Sequence, residues 1–155
     1  MITLGIDPGT ATVGFSFVTG TRQNPQILEY GILHTDSAPK EQMPDRLLEL
    51  GQDLESLIKK YQPNVGIIEV FIFFKNQKTV ISVAQSRGMM LYIMKKNGLQ
   101  TTDVTPLQVK QTLCGYGRAT KEQVQQAVKK IYNLDQIPKP DDAADSLAIA
   151  WFGLK

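Results

Sequence analysis

The sequence predicts an α/β chain built on one mixed five-stranded sheet with helices on both faces. Three observations carry this. Three strand-like runs come first, on short connections. Helical periodicity and strand-like runs then alternate. The run 65–71 is apolar at nearly every position, as a strand buried on both faces is. The implied order β-β-β-α-β-α-β-α-α-α joins an antiparallel meander to parallel crossovers, which closes only as one mixed sheet between helical layers. At 155 residues the chain is sized for a single domain spanning 1–155.

Each element has a local cause. Residues 2–7 are a short apolar run stopped by Pro8 and Gly9. Residues 12–18 alternate and carry Phe15 and Phe17, and 27–34 form a third run, with a turn over 20–25 between them. From 43 to 62 the period changes to that of a helix: Leu47, Leu48, Leu54, Leu57, Ile58 and Tyr61 mark one face, and Pro63 ends it. Residues 77–97 read as a long helix closed by Gly98, and 99–104 as the fifth strand. Pro106 opens a short helix ending near Gly115, Thr120 caps another running to about Tyr132, and a final helix runs from about Asp141 to the C-terminus.

Composition excludes several chemistries. His34 is the only histidine and Cys114 the only cysteine. Neither a His-based triad nor a Cys- or His-rich zinc site can be assembled from them. A lone thiol and the absence of a leader pattern point to a reducing cytosol. The longest apolar runs fall far short of a membrane span. The formal net charge of +2 conceals an uneven spread: residues 75–130 hold ten basic side chains against only Asp103 and Glu122. A basic stretch beside an acidic site suits a polyanion. On charge alone, solvated helix faces are the simpler account.

Four carboxylates stand in costly places. Asp7 ends an apolar strand in Gly5-Ile6-Asp7-Pro8-Gly9-Thr10, where the following proline favours extended backbone. Alone it fits a turn-capping acid equally well. Glu69 sits within an apolar strand that offers no basic partner, so it requires a counter-charge, a proton or a metal from elsewhere. Asp142 and Asp145 are spaced i, i+3 on one helix face, separated by alanines. The helix dipole accounts for Asp141 and Asp142 in a first turn, and accounts for Asp145 less well. Converging carboxylates without His or Cys are hard oxygen ligands, suited to Mg²⁺, with Mn²⁺ as the alternative. Two such ions about 4 Å apart clamp the attacking and leaving oxygens of a phosphodiester displacement.

These residues, with Ile67-Ile68-Glu69, Lys75-Asn76, Gln85-Ser86-Arg87-Gly88, Gln108-Val109-Lys110-Gln111 and the stretch Asp142-Ala143-Ala144-Asp145-Ser146-Leu147-Ala148-Ile149-Ala150, resemble the bacterial RuvC family of Holliday-junction resolvases. The resemblance runs in order from about residue 2 to 151. It implies a ribonuclease H-like fold, a two-fold homodimer and metal-dependent paired nicking of four-way junction DNA in recombination and repair. A branch-migration motor is the candidate further partner. The catalytic and metal-binding tetrad would be Asp7, Glu69, Asp142 and Asp145, with two ions per site. Lys110 and Lys121 would contact phosphates at the scissile bond. Lys75, Asn76, Arg87 and Arg118 would add DNA contacts. The family's base-stacking aromatic, three positions after the catalytic glutamate, is replaced here by Ile72, which leaves Phe73 or Phe74 to supply a ring. The resemblance also makes the helix 77–97 the dimer contact, and its apolar residues exceed one stripe.

Three other readings compete. A non-catalytic junction binder would keep the basic surface and lose the tetrad. A ribonuclease H acting on RNA–DNA hybrids shares the fold and the metal chemistry. An ATPase of the actin and sugar-kinase group shares the Gly-Ile-Asp-Pro-Gly-Thr opening, but needs two such domains.

Overall fold

The computed structural model describes residues 1–9, 11–35, 42–70 and 77–155, with only the backbone at 77–79. The expectations placed on Ile72, Phe73, Phe74, Lys75 and Asn76 lie outside the described residues. The elements are β1 (Thr3–Asp7), β2 (Thr12–Gly20), β3 (Pro25–His34), α1 (Met43–Tyr61), β4 (Val65–Glu69), α2 (Gln77–Lys96), β5 (Gln100–Val104), α3 (Pro106–Cys114), α4 (Lys121–Ile131), α5 (Asp141–Ala150) and a 3₁₀ turn, Trp151–Gly153.

The sheet order is β3-β2-β1-β4-β5. β1, β2 and β3 form the antiparallel meander, and β1, β4 and β5 run parallel. The C-terminal ends of β1 and β4, carrying Asp7 and Glu69, therefore lie at the same edge. Strand alternation divides the interior into two layers. Leu4, Ile6, Phe15, Phe17 and Ile68 pack against Leu50, Leu54 and Ile58 of α1 and Met90 and Met94 of α2. Val18, Ile67 and Val104 face the other way, against Val109, Val124, Val128, Leu147 and Ile149 of α3, α4 and α5. Phe17 is fully buried and stacks on Tyr61 at 4.5 Å between centroids. Phe17→Ala should destabilise the protein by about 3–5 kcal/mol and lower Tm by roughly 10 °C, read by thermal unfolding.

Close approach sets the position of α5. A Cβ at Gly5 would stand 2.4 Å from the Ser146 carbonyl oxygen, and one at Gly14 would stand 2.0 Å from that of Asp142. Only glycine at both positions lets the helix lie directly on the β1–β2 face. Ser16 Oγ donates to the Ser146 carbonyl at 2.8 Å and Tyr132 Oη to that of Leu147 at 2.9 Å, which fixes the helix along its axis.

The final helix is shorter than the sequence suggests. α5 stops at Ala150, and the chain tightens into the 3₁₀ turn. Continued α-helix would carry Phe152 to Leu154 away from the sheet. The turn instead brings Gly153 against Thr3 and Ile67, where a Cβ would stand 2.4 Å from Thr3 Cγ2, and buries Leu154. Arg22 secures it by donating from Nε to the Leu154 carbonyl at 2.9 Å and from Nη2 to that of Phe152 at 3.1 Å. β3 also begins earlier than expected, at Pro25, because the turn after Gly20 (φ +93°) is tighter than the spacing suggested. The long helix α2 buries Val83, Ser86, Met90, Ile93 and Met94 on one side and exposes Ile81 and Tyr92 on the other.

Candidate active site

Two elements bring three carboxylates to one point. β1 ends at Asp7, and the antiparallel register pairs that residue with Gly14. The first turn of α5 rests on Gly14, so Asp142 and, one turn on, Asp145 come down beside Asp7. One carboxylate oxygen from each of Asp7, Asp142 and Asp145 lies within 4.8 Å of the others. Glu69 stands outside this triplet, on the neighbouring strand. It lines an adjoining cleft of about 200 Å³ with Asp145, Lys110 and Lys121, closed by Pro106, Val109, Val124 and Ala148.

Electrostatics confirm the crowding. Burial, and then the charges of Glu69, Asp145 and Asp142, push the Asp7 carboxyl up to about 8, against a counter-pull from Lys121. Burial and then Asp145 push Glu69 up to about 7, although Lys110 and Lys121 pull it down. Burial also raises Asp145. Buried carboxyls that raise one another mark a candidate site. Oxygen-only donors at this separation and with this excess negative charge fit a hard divalent cation.

The two lysines enter from capped helices. Thr105 caps α3 and Thr120 caps α4, each with a reciprocal capping box to Gln108 and Gln123. The caps fix the helix starts: Lys121 is the first residue of α4, and Lys110 lies one turn into α3. Lys121 Nζ lies 3.1 Å from Asp145 Oδ2 and 3.5 Å from Asp141 Oδ2, and Lys139 Nζ lies 2.9 Å from Asp141 Oδ1. Burial works against the Lys121 ammonium, but Asp145 and Asp141 outweigh it and hold its pKa above the ordinary value. Asp141, which sequence reasoning assigned to the helix dipole, thus braces Lys121. Arg118 is exposed in the α3–α4 connection. Arg87 lies elsewhere, behind β4, where it pairs with Asp103. That pairing was missed, although Asp103 stood out as one of two acids among ten bases.

An antiparallel meander joined to a parallel β4–β5 pair, with acids at the ends of β1 and β4 and on the last helix, is the ribonuclease H-like fold. A family model for the crossover junction endodeoxyribonuclease RuvC matches residues 3–152. The chain belongs to the RuvC family. It is 47% identical over 150 residues to the crossover junction endodeoxyribonuclease RuvC of Fusobacterium nucleatum, covering 96% of this chain and 77% of that protein. The Thermus thermophilus RuvC structure superposes with a TM-score of 0.88 at 28% identity, covering 97% and 92% of the two chains. T. thermophilus RuvC in complex with Holliday junction substrate gives 0.91 at 28% identity, covering 97% and 91%. Among the described residues no helix is long and apolar enough to cross a membrane.

Proposed function

We propose that this chain, acting as one nuclease domain, resolves four-way DNA junctions by paired, symmetric nicks during recombination and repair. The observation that carries the reading is the acidic centre: three oxygen-donor carboxylates within 4.8 Å, beside a cleft lined by Glu69, Asp145, Lys110 and Lys121, in a RuvC-family chain. The likeness to a T. thermophilus RuvC bound to a Holliday junction supports the substrate.

Asp7, Asp142 and Asp145, with Glu69 as fourth ligand, would hold two Mg²⁺ ions, Mn²⁺ being the alternative. When bound, such ions supply Lewis-acid activation of water and of the departing oxygen. The protein supplies position and charge. Lys110 and Lys121 bind phosphate oxygens beside the scissile bond and offset the charge that develops there. Asp141 holds Lys121 at the cleft wall. Arg118 adds a backbone contact that sets register without reading sequence. The outward side of α2, with Ile81 and Tyr92, supports contact with a second copy, which would relate two clefts by a two-fold axis matching that of a junction.

Lys121→Ala should lower the single-turnover cleavage rate by about 10²-fold at saturating junction, the usual cost of one lost charge-stabilising donor. A rate within threefold of wild type would remove Lys121 from the site.

The deciding experiment is cleavage of an immobile four-way junction, labelled on each strand, with linear duplex and RNA–DNA hybrid as competitors and Mg²⁺ present. Symmetric paired nicks with both controls uncut are expected. Cutting of the hybrid alone would overturn the substrate, and junction binding without any nick would overturn the enzymatic reading.

A further inference from the structure

Glu69 is the last residue of β4. The strand pairs it with Val104, and the next amide, Val70 N–H, donates to the Val104 carbonyl at 2.7 Å. Strand alternation sends the Ile68 side chain into the α1–α2 layer and that of Glu69 to the opposite side, into the cleft. From the α1–α2 side, Arg87 of α2 reaches the same point. Its Nε donates to the Glu69 carbonyl oxygen at 3.3 Å, and its Nη2 pairs with Asp103 Oδ1 at 2.5 Å. Asp103 lies on β5, opposite Ile68 in the register. One guanidinium therefore spans the end of β4, β5 and α2. Its side chain is only 21% exposed, while the acid it grips is 56% exposed.

We propose that Arg87 is a positioning residue that holds the Glu69 main chain from behind the sheet, and that Asp103 orients the guanidinium for that task. The proposal deepens the nuclease reading and rests on it. A planar guanidinium presents Nε and Nη2 as separate donors in fixed directions, whereas the donors of a lysine ammonium share one nitrogen on a flexible stem. Among the described residues, loss of the clamp leaves the end of β4 with its ladder bonds to β5. A carboxylate displaced by about 1 Å costs a reaction of this kind about 10²-fold, whereas loss of one phosphate contact mainly weakens binding.

The test compares wild type with Arg87→Ala, Arg87→Lys and Asp103→Asn on the immobile junction. Binding is measured with Ca²⁺ across a salt series, cleavage in single turnover across a Mg²⁺ series, and folding by thermal unfolding. Arg87→Ala should lose about 10- to 100-fold in cleavage rate and need more Mg²⁺ for half the maximal rate, with junction Kd within twofold. Arg87→Lys should fail to restore the rate although it keeps the charge. Asp103→Asn should lose rate in the same sense, by less. Weakened binding with a salt slope shallower by about one would make Arg87 a DNA contact and overturn the proposal. Rescue by lysine would overturn it as well. If Arg87→Ala does not fold, Asp103→Asn decides: a wild-type rate there overturns the clamp. Failure of the wild-type protein to cut the junction would count against the nuclease reading itself.

Discussion

Asp7→Asn is expected to reduce junction cleavage by at least about 10³-fold, some 4 kcal/mol of transition-state stabilisation, and to make the metal-free protein more stable at pH 8. Both effects have one cause. Burial, and then the charges of Glu69, Asp145 and Asp142, push the Asp7 carboxyl up to about 8. In the unfolded chain an aspartate titrates near 4. Between those values the folded protein keeps a proton that the unfolded chain has lost. The unfolded state thus binds fewer protons, and stability falls as pH rises from about 4 to about 8. Glu69, raised to about 7, acts in the same direction. Asparagine cannot ionise, so the Asp7 share of this loss, of the order of several kcal/mol, disappears in the variant. The readout is the difference in Tm between variant and wild type in EDTA from pH 5 to 8. That difference should grow with pH, and Mg²⁺ should raise the wild-type Tm most at pH 8. A difference that stays flat with pH, or cleavage within tenfold of wild type, would remove Asp7 from the centre of the site.

Gly14→Ala should be nearly as damaging to cleavage without unfolding the protein. The new Cβ would stand 2.0 Å from the Asp142 carbonyl oxygen and 2.6 Å from its carbon. Both are backbone atoms, so relief requires the first turn of α5 to rise off the sheet by about 1 Å. Asp142 and Asp145 move with it, away from Asp7. Overpacking of this kind costs about 1–3 kcal/mol, which a core anchored by α1 and α2 survives. Misplaced ligands cost about 10²-fold in rate. Gly31→Ala is the control: its Cβ would meet only the ring edge of Phe15 at 3.3 Å, in a different part of the sheet. Wild-type cleavage by Gly14→Ala would show that α5 does not set the geometry.

The sequence announced whatever a local pattern can express. The apolar run stopped by Pro8 placed Asp7 at a strand mouth, and the i, i+3 spacing put Asp142 and Asp145 on one helix face. Thr120 signalled the cap that aims Lys121. What stayed hidden depends on pairs made across the fold. Nothing near Glu69 tells that it falls outside the 4.8 Å triplet, since that depends on how far α5 sits from β4. The Arg87–Asp103 pair joins a helix to a strand, and from sequence the arginine read as one more cation in a basic stretch. Asp141 has a dipole explanation that is correct as far as it goes, and its grip on Lys121 needs α4 in place. The stop at Ala150 reflects the groove that receives Gly153 beside Thr3, not any breaker in α5.

The seating of α5 on the meander also sets when the cleft can exist during synthesis. The bond between Ser16 and Ser146 joins positions 130 apart in sequence, so the strand side of the carboxylate cluster leaves the ribosome long before the helix side. The meander, α1 and β4 can associate early, because their contacts are closer in sequence. Until α5 docks, Asp7 and Glu69 lack Asp142 and Asp145 beside them. A nascent chain therefore lacks the assembled carboxylate cluster until α5 has emerged and docked on the meander.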